Sequence, residues 1–258
     1  MKIVEPKVYV EKFDGLKIMK NIELACRTCY RSEGQITEDS YKKLLQNCIN
    51  RGHESVLEHE KITIRMICDI GVYKDLTRHR FASFSIESSR YCNYGKDKFE
   101  NEIKFIKPIF WKGDEELFNA DIDSVFMFST GDDKEITNNV GYIQNHKEVN
   151  KTYIWYMTMK QIEQSYMEMS KLGCTPDEMR MILPHSTAAE VTMTCNIREW
   201  KHILELRANK FAHPSVQQVM IPIAKLFKEQ MPEIFNNLEY NENFNGELAS
   251  ISFDNKDI

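Results

Sequence analysis

Between Arg78 and Tyr91 the chain packs three arginines, one histidine and four serines into fourteen residues, beginning Arg78-His79-Arg80 and ending Ser88-Ser89-Arg90-Tyr91. Guanidinium forks match paired phosphate oxygens, and serine hydroxyls with backbone N–H groups complete a cradle, so the segment predicts an anionic ligand. The rival reading is a basic face that serves only solvation. A second cluster follows much later, with Arg180, then Asn196-x-Arg198, His202 and Arg207. On a helix after Asn196, Arg198 and His202 share one side, and Arg207 stands more than two turns beyond Arg198. Lys201 and Glu205 fit an ordinary i,i+4 ion pair. Arg207 does not, because Ile203, Leu204, Lys210 and Phe211 surround it at helical spacing, so its partner must come from elsewhere in the fold. The third cluster is His53-Glu54-Ser55-Val56-Leu57-Glu58-His59.

Other chemistries find little support. The His53 and His59 spacing matches no ligand geometry, so no metal is expected. Cys26-x-x-Cys29 sits inside a helical pattern without a second cysteine pair and reads as buried structural thiols. There is no Gly-x-Ser-x-Gly elbow, no Gly-x-Gly-x-x-Gly turn and no Walker loop, so a bound nucleotide must be held by side chains.

The elements that must position these clusters are legible in outline. Val8-Tyr9-Val10 reads as a strand, and Leu16, Met19, Ile22 and Cys26 recur at helical spacing. Thr37 is expected to cap a helix from Tyr41 to about Asn50. Ile62, Ile64 and Met66 alternate with polar neighbours as in a half-buried strand, which Gly71 is expected to close. Trp155, Met159, Ile162, Tyr166 and Met169 predict a long amphipathic helix over 149–172. Thr175-Pro176-Asp177-Glu178 is an N-cap, a first-turn proline and two acids, and it opens a helix that Pro184 ends. A short strand through Val191 and Met193 leads to Asn196, which caps a helix to about Lys210. Pro214 starts another helix past Phe227, bent at Pro222. Residues 113–149 read as a surface insertion, and 241–258 as a polar, frayed tail after a single 1–240 domain. The fold class is α/β (α+β), a central sheet flanked by long helices.

Composition sets the outer bounds. The 258 residues are 42% hydrophobic and 28% charged, a globular balance that excludes a disordered or fibrous chain. Lys and Arg number 34 against 39 Asp and Glu, a net charge of −5 that argues against nucleic acid or anionic lipid as the main partner. Met1-Lys2-Ile3-Val4-Glu5-Pro6 lacks a signal-peptide core, and no apolar run approaches a membrane span. Seven scattered cysteines fit a reducing compartment, so a cytoplasmic protein is expected.

Arg78-His79-Arg80, seven residues, then Ser88 resembles the R-H-R-x7-S signature of the flavin-dependent thymidylate synthases. Ser88-x-Arg90-Tyr91, His53-Glu54-x3-Glu58-His59, Arg180-x2-Leu183-Pro184, Asn196-x-Arg198, His202 and Arg207-Ala208 follow the family order, and the likeness spans about 26–227. The resemblance implies a homotetramer in which FAD and dUMP share a site built at subunit interfaces. It implies NADPH as reductant and methylenetetrahydrofolate as one-carbon donor, with no cysteine nucleophile. Asp75, Arg78, Ser88, Ser89, Arg90, Arg180 and Arg207 would then bind the nucleotide, and Arg207 would face the uracil ring as the catalytic cation. His53, Ser55, Glu58, Arg78, His79, Arg80, Asn196, Arg198 and His202 would contact FAD or the folate-side face of the flavin. Three features depart from the pattern. Asp75 and Ile86 stand where the family usually has an amide or acidic partner, with Glu87 beside the latter. Phe211-Ala212-His213-Pro214 replaces the usual H-A-Q-x-E-I segment, and the 113–149 insertion is long. Two alternatives remain: a related modification such as hydroxymethylation, or action on a cytosine nucleotide, and a non-catalytic nucleic-acid-binding module.

Overall fold

The computed structural model describes residues 1–111 and 151–253, so the insertion expected at 113–149 lies outside the described residues. The described residues form the strands β1 (Lys2–Val4), β2 (Lys7–Val10), β3 (Lys61–Asp69), β4 (Ala82–Ile86), β5 (Lys104–Ile106), β6 (Ala188–Asn196) and β7 (Ser250–Ser252). Five of them form one sheet in the order β4-β6-β3-β2-β7, and β1 pairs with β5 apart from it. The helices are α1 (Gly15–Thr28), α2 (Ser40–Asn50), α3 (Ile70–Leu76), α4 (Lys151–Lys171), α5 (Pro176–Met179), α6 (Ile197–Arg207), α7 (Pro214–Gln230) and α8 (Pro232–Phe235). Among the described residues, none is long and apolar enough to cross a membrane.

The spine is the antiparallel pairing of β3 with β6, which runs unbroken from Lys61↔Asn196 to Asp69↔Ala188. Period-2 alternation sets its register. Ile62, Ile64 and Met66 meet Cys195, Met193 and Val191, and Ala82, Phe84 and Ile86 of β4 meet the same three residues. All of these side chains therefore lie on one face. There they pack against Met19, Ile22, Leu45, Trp200, Ile203, Val219 and Phe227 from the helices. Trp200 Nε1 donates to the Ile62 carbonyl at 3.0 Å, which ties α6 to β3. A second cluster, with Tyr94, Ile103, Phe105, Met159, Tyr166 and Met179, buries the stripe expected on α4.

Caps decide where the helices leave the strands. Asp69, not Gly71, ends β3: its Oδ1 accepts the Val72 N–H at 2.7 Å and starts α3. Asn196 Oδ1 accepts the Glu199 N–H at 2.8 Å and starts α6 as expected, although that helix stops at Arg207, short of Lys210. Thr175 and Glu178 form the reciprocal capping box that opens α5. Thr37 is not the cap of α2; its N–H donates to Ser40 Oγ, and Asp39 occupies the cap position. The strand through Val191 and Met193 is longer than expected, because β6 is covered by β3 on one side and β4 on the other.

Residues 241–253 are not frayed. The Asn241 N–H donates to the Ala208 carbonyl, and its side-chain amide donates to Gln217 Oε1 at 2.7 Å. Ala249 is buried, and β7 adds a parallel edge strand to β2. Polarity of composition hid a segment held by backbone pairing, which has no hydrophobic signature of its own. Removing the chain from Leu248 onward is expected to lower the unfolding free energy by about 1–3 kcal/mol. Urea denaturation measures this, and an unchanged midpoint would show that β7 contributes nothing.

Candidate functional site

The helices α3 and α6 start from opposite ends of the β3–β6 ladder and converge at their C-terminal ends. Arg207, the last residue of α6, is placed there with its side chain only 21% exposed. Its Nη2 donates to the Asp75 carbonyl at 2.9 Å, and its Nε donates to His79 Nε2 at 3.1 Å. Nη1 lies 3.8 Å from the Asp75 carboxylate. The Asp75 carbonyl belongs to the last turn of α3, whose final carbonyls have no partner within the helix. One guanidinium thus joins two helix C-termini, where the macrodipole favours a cation. The partner that Arg207 lacked within its own helix is supplied by α3 and the turn after it.

His79 is 7% exposed and faces inward. Burial, then the neighbouring charges of Arg207 and His202, push its pKa down from 6.5 to about 4. Its Nδ1 lies 3.5 Å from Glu199 Oε1, and the His202 ring meets it edge-on at 5.9 Å. Burial pushes the Glu199 carboxyl up.

The flanking arginines are placed differently. Arg78 and Arg80 are exposed and make no ion pair or hydrogen bond among the described residues. Beyond the other end of β4, Arg90 Nε donates to Asp177 Oδ1 at 2.9 Å, and Arg180 Nη1 lies 4.0 Å from the same oxygen. Ser88 and Ser89 lie beside them in the turn after β4, with Ser88 Oγ accepting the Arg90 N–H at 3.4 Å. Asp177 was legible in the sequence only as a first-turn acid; Arg180 is its neighbour three residues on, and its pairing with Arg90 came from the meeting of two distant segments. Ile86 packs against the core. Glu87 is engaged internally, accepting from the Tyr94 hydroxyl at 2.9 Å and from the Glu190 N–H.

The third group surrounds a cavity of about 440 Å³ whose lining includes Glu58, Phe81, Asn196, Arg198 and His202. Arg198 pairs with Glu58 at 2.6 Å, and Lys201 with Glu54 at 2.7 Å and Glu205 at 3.1 Å, which includes the ion pair expected within α6. His53 and Ser55 are exposed on the turn that carries Glu54 and Glu58. Cys26 is buried as expected, but Cys29 is exposed because it lies just past the last turn of α1. No group of three or more His, Cys, Asp or Glu among the described residues is placed to hold a metal.

The family model described as thymidylate synthase complementing protein matches residues 16–233 of this chain. The chain belongs to that family. It is an enzyme, similar to the flavin-dependent thymidylate synthase of Kosmotoga olearia, with 29% identity over 220 residues and 84% of each chain covered. The flavin-dependent thymidylate synthase of Thermotoga neapolitana is 27% identical over 233 residues, covering 90% of this chain and 91% of the relative. Two solved structures share the fold. The UMP/dUMP methylase PolB from Streptomyces cacaoi, bound with 5-Br dUMP, has a TM-score of 0.60 at 20% identity and covers 92% of this chain and 96% of its own. Thymidylate synthase X from Helicobacter pylori, with FAD and dUMP, has a TM-score of 0.59 at 20% identity, covering 91% and 97%.

The depressed pKa of His79 gives this family member a testable pH dependence. Between about 6.5 and about 4 the unfolded chain binds a proton that the folded chain refuses, so stability is full above that window and falls as the pH drops through it. The loss is expected to reach about 1–2 kcal/mol by about pH 5. Urea unfolding at neutral and mildly acidic pH measures it, and His79→Asn is expected to show the flatter dependence.

Proposed function

We propose that this enzyme converts dUMP to dTMP, with FAD as bound cofactor, methylenetetrahydrofolate as one-carbon donor and NADPH as reductant. The observation that carries this reading is the fixed Arg207 guanidinium. A cation held beside N3 and O2 of a uracil ring lowers the cost of negative charge on that ring and makes C5 more nucleophilic. No covalent enzyme adduct is then required. The thiols agree: all seven cysteines are free, and burial pushes those of Cys26, Cys68, Cys92 and Cys195 up rather than activating them. Free thiols also suit the cytoplasmic location included in this proposal.

In this reading Ser88, Ser89, Arg90 and Arg180 hold the nucleotide's phosphate and sugar, with Arg78 adding charge and Asp75 facing the base beside Arg207. The residues present fit FAD. Arg78 and Arg80 project unpaired among the described residues and suit a diphosphate. Phe81, which is 82% exposed, stands with Arg198 and His202 beside the cavity near His53, Ser55, Glu58 and Asn196. Bound there, FAD supplies the redox chemistry that no side chain offers. The chain's own residues supply placement and a fixed positive charge. The Helicobacter pylori thymidylate synthase X structure, which holds FAD and dUMP, supports this pair of ligands. A homotetramer belongs to the same proposal: Phe81, Tyr91 and Phe211 flank the site groups, are each at least 80% exposed and suit burial between copies.

A second reading keeps the scaffold and changes the base or the product, to a cytosine nucleotide or a hydroxymethyl group. It is favoured by the Asp75 carboxylate beside Arg207, by apolar Ile86 and by the engagement of Glu87 with Tyr94. Mass spectrometry of products from dUMP and dCMP separates the two readings.

The purified protein is expected to show flavin absorption that NADPH bleaches and to turn over dUMP. A colourless protein that takes up no FAD and ignores dUMP overturns the proposal. Arg207→Ala is expected to retain FAD and lose turnover by roughly 100-fold to 1,000-fold. Undiminished turnover would remove Arg207 from the mechanism.

A further inference from the structure

Glu199 belongs to none of the sequence motifs, yet it is a carboxylate only 9% exposed in the first turn of α6. The other acids beside this helix face cations: Glu58 faces Arg198, Glu54 and Glu205 face Lys201, and Asp75 faces Arg207. Glu199 instead faces His79.

The tautomer of His79 follows from its partners. An arginine side chain stays protonated, so Arg207 Nε carries a hydrogen, and His79 Nε2 at 3.1 Å must accept it through its lone pair. A neutral imidazole has a single N–H, which therefore sits on Nδ1. That nitrogen lies 3.5 Å from Glu199 Oε1.

We propose that Glu199 is a positioning residue for Arg207: it accepts the Nδ1–H of His79, sets the plane of the ring, and through Nε2 sets the orientation of the guanidinium. The task needs an acceptor oxygen, which a carboxylate or an amide supplies equally. His202 closes the other side of the ring edge-on, and Asp75 holds the two Nη atoms, so the Glu199–His79 arm controls the Nε side of the fork. The inference rests on the preceding reading in one respect, that Arg207 is the group beside the substrate ring.

The solid-state 15N spectrum of histidine-labelled, FAD-loaded protein at neutral pH tests the tautomer, with the His79 signal assigned by its loss in His79→Gln. A protonated Nδ1 with a bare Nε2 is expected; a protonated Nε2 or an imidazolium overturns the proposal. Glu199→Gln is expected to keep that signature and most of the turnover. Glu199→Ala is expected to mix the tautomers and lower kcat by roughly tenfold to 100-fold, with the KM for dUMP changed far less. Wild-type kcat in Glu199→Ala overturns the proposal. If Glu199→Ala fails to fold, the spectrum of the unsubstituted protein and the Glu199→Gln rescue decide. The tautomer is read without turnover, so a protein inert toward dUMP would refute the substrate reading and leave the spectrum to judge this one.

Discussion

The structure depends on the nine-residue antiparallel ladder between β3 and β6. The two strands of an antiparallel pair end at opposite ends of the ladder, so the helices that follow them start far apart. Both must cover the same apolar face and therefore run toward one another. The lengths agree: nine strand residues span about 30 Å, and α3 and α6 together cover about 27 Å. The C-terminal ends of the two helices consequently meet over the sheet, and His79 and Arg207 meet with them. A one-residue slip in the ladder would turn Ile62, Ile64 and Met66 out of the core and separate this pair.

Electrostatics then makes the junction a specific one. The C-terminus of α3 presents carbonyls without a partner in the helix and partial negative charge, which a half-buried cation satisfies, while Asn209 Nδ2 donates to the Glu205 and Leu206 carbonyls at the end of α6. Arg207 does this with the Asp75 carbonyl while its Nε meets a histidine that burial keeps neutral. A charged imidazole there would repel the guanidinium and lose its acceptor. The ion pairs Arg90–Asp177 and Arg198–Glu58 differ in kind, because they are solvent-exposed and open to replacement by an anionic ligand.

Several site elements were legible because their signals are local. Asn196 and Thr175 cap helices from side-chain chemistry alone, the alternation from Ile62 sets a buried face, and the Arg78–Ser88 spacing carries the family. The missing parts were long-range. Asp177 serves two arginines only because α5 packs beside the turn after β4, and Glu199 reaches His79 only across the α3–α6 junction. The strand β7 exists because β2 offers an unpaired edge, a property of the sheet rather than of the polar residues 250–252.

By itself, the sequence determined the fold class, the caps at Thr175 and Asn196, the buried face of β3 and the inventory of cations, since each depends on residues within a few positions of one another. Only the tertiary structure decided which cations are buried and fixed and which remain exposed, which acid faces which base, and that the final segment belongs to the sheet. The physical reason is that burial and pairing are set by segments far apart in the chain, 87 residues for Arg90 and Asp177 and 132 for Arg207 and Asp75, and their energies arise only when the fold brings those segments together.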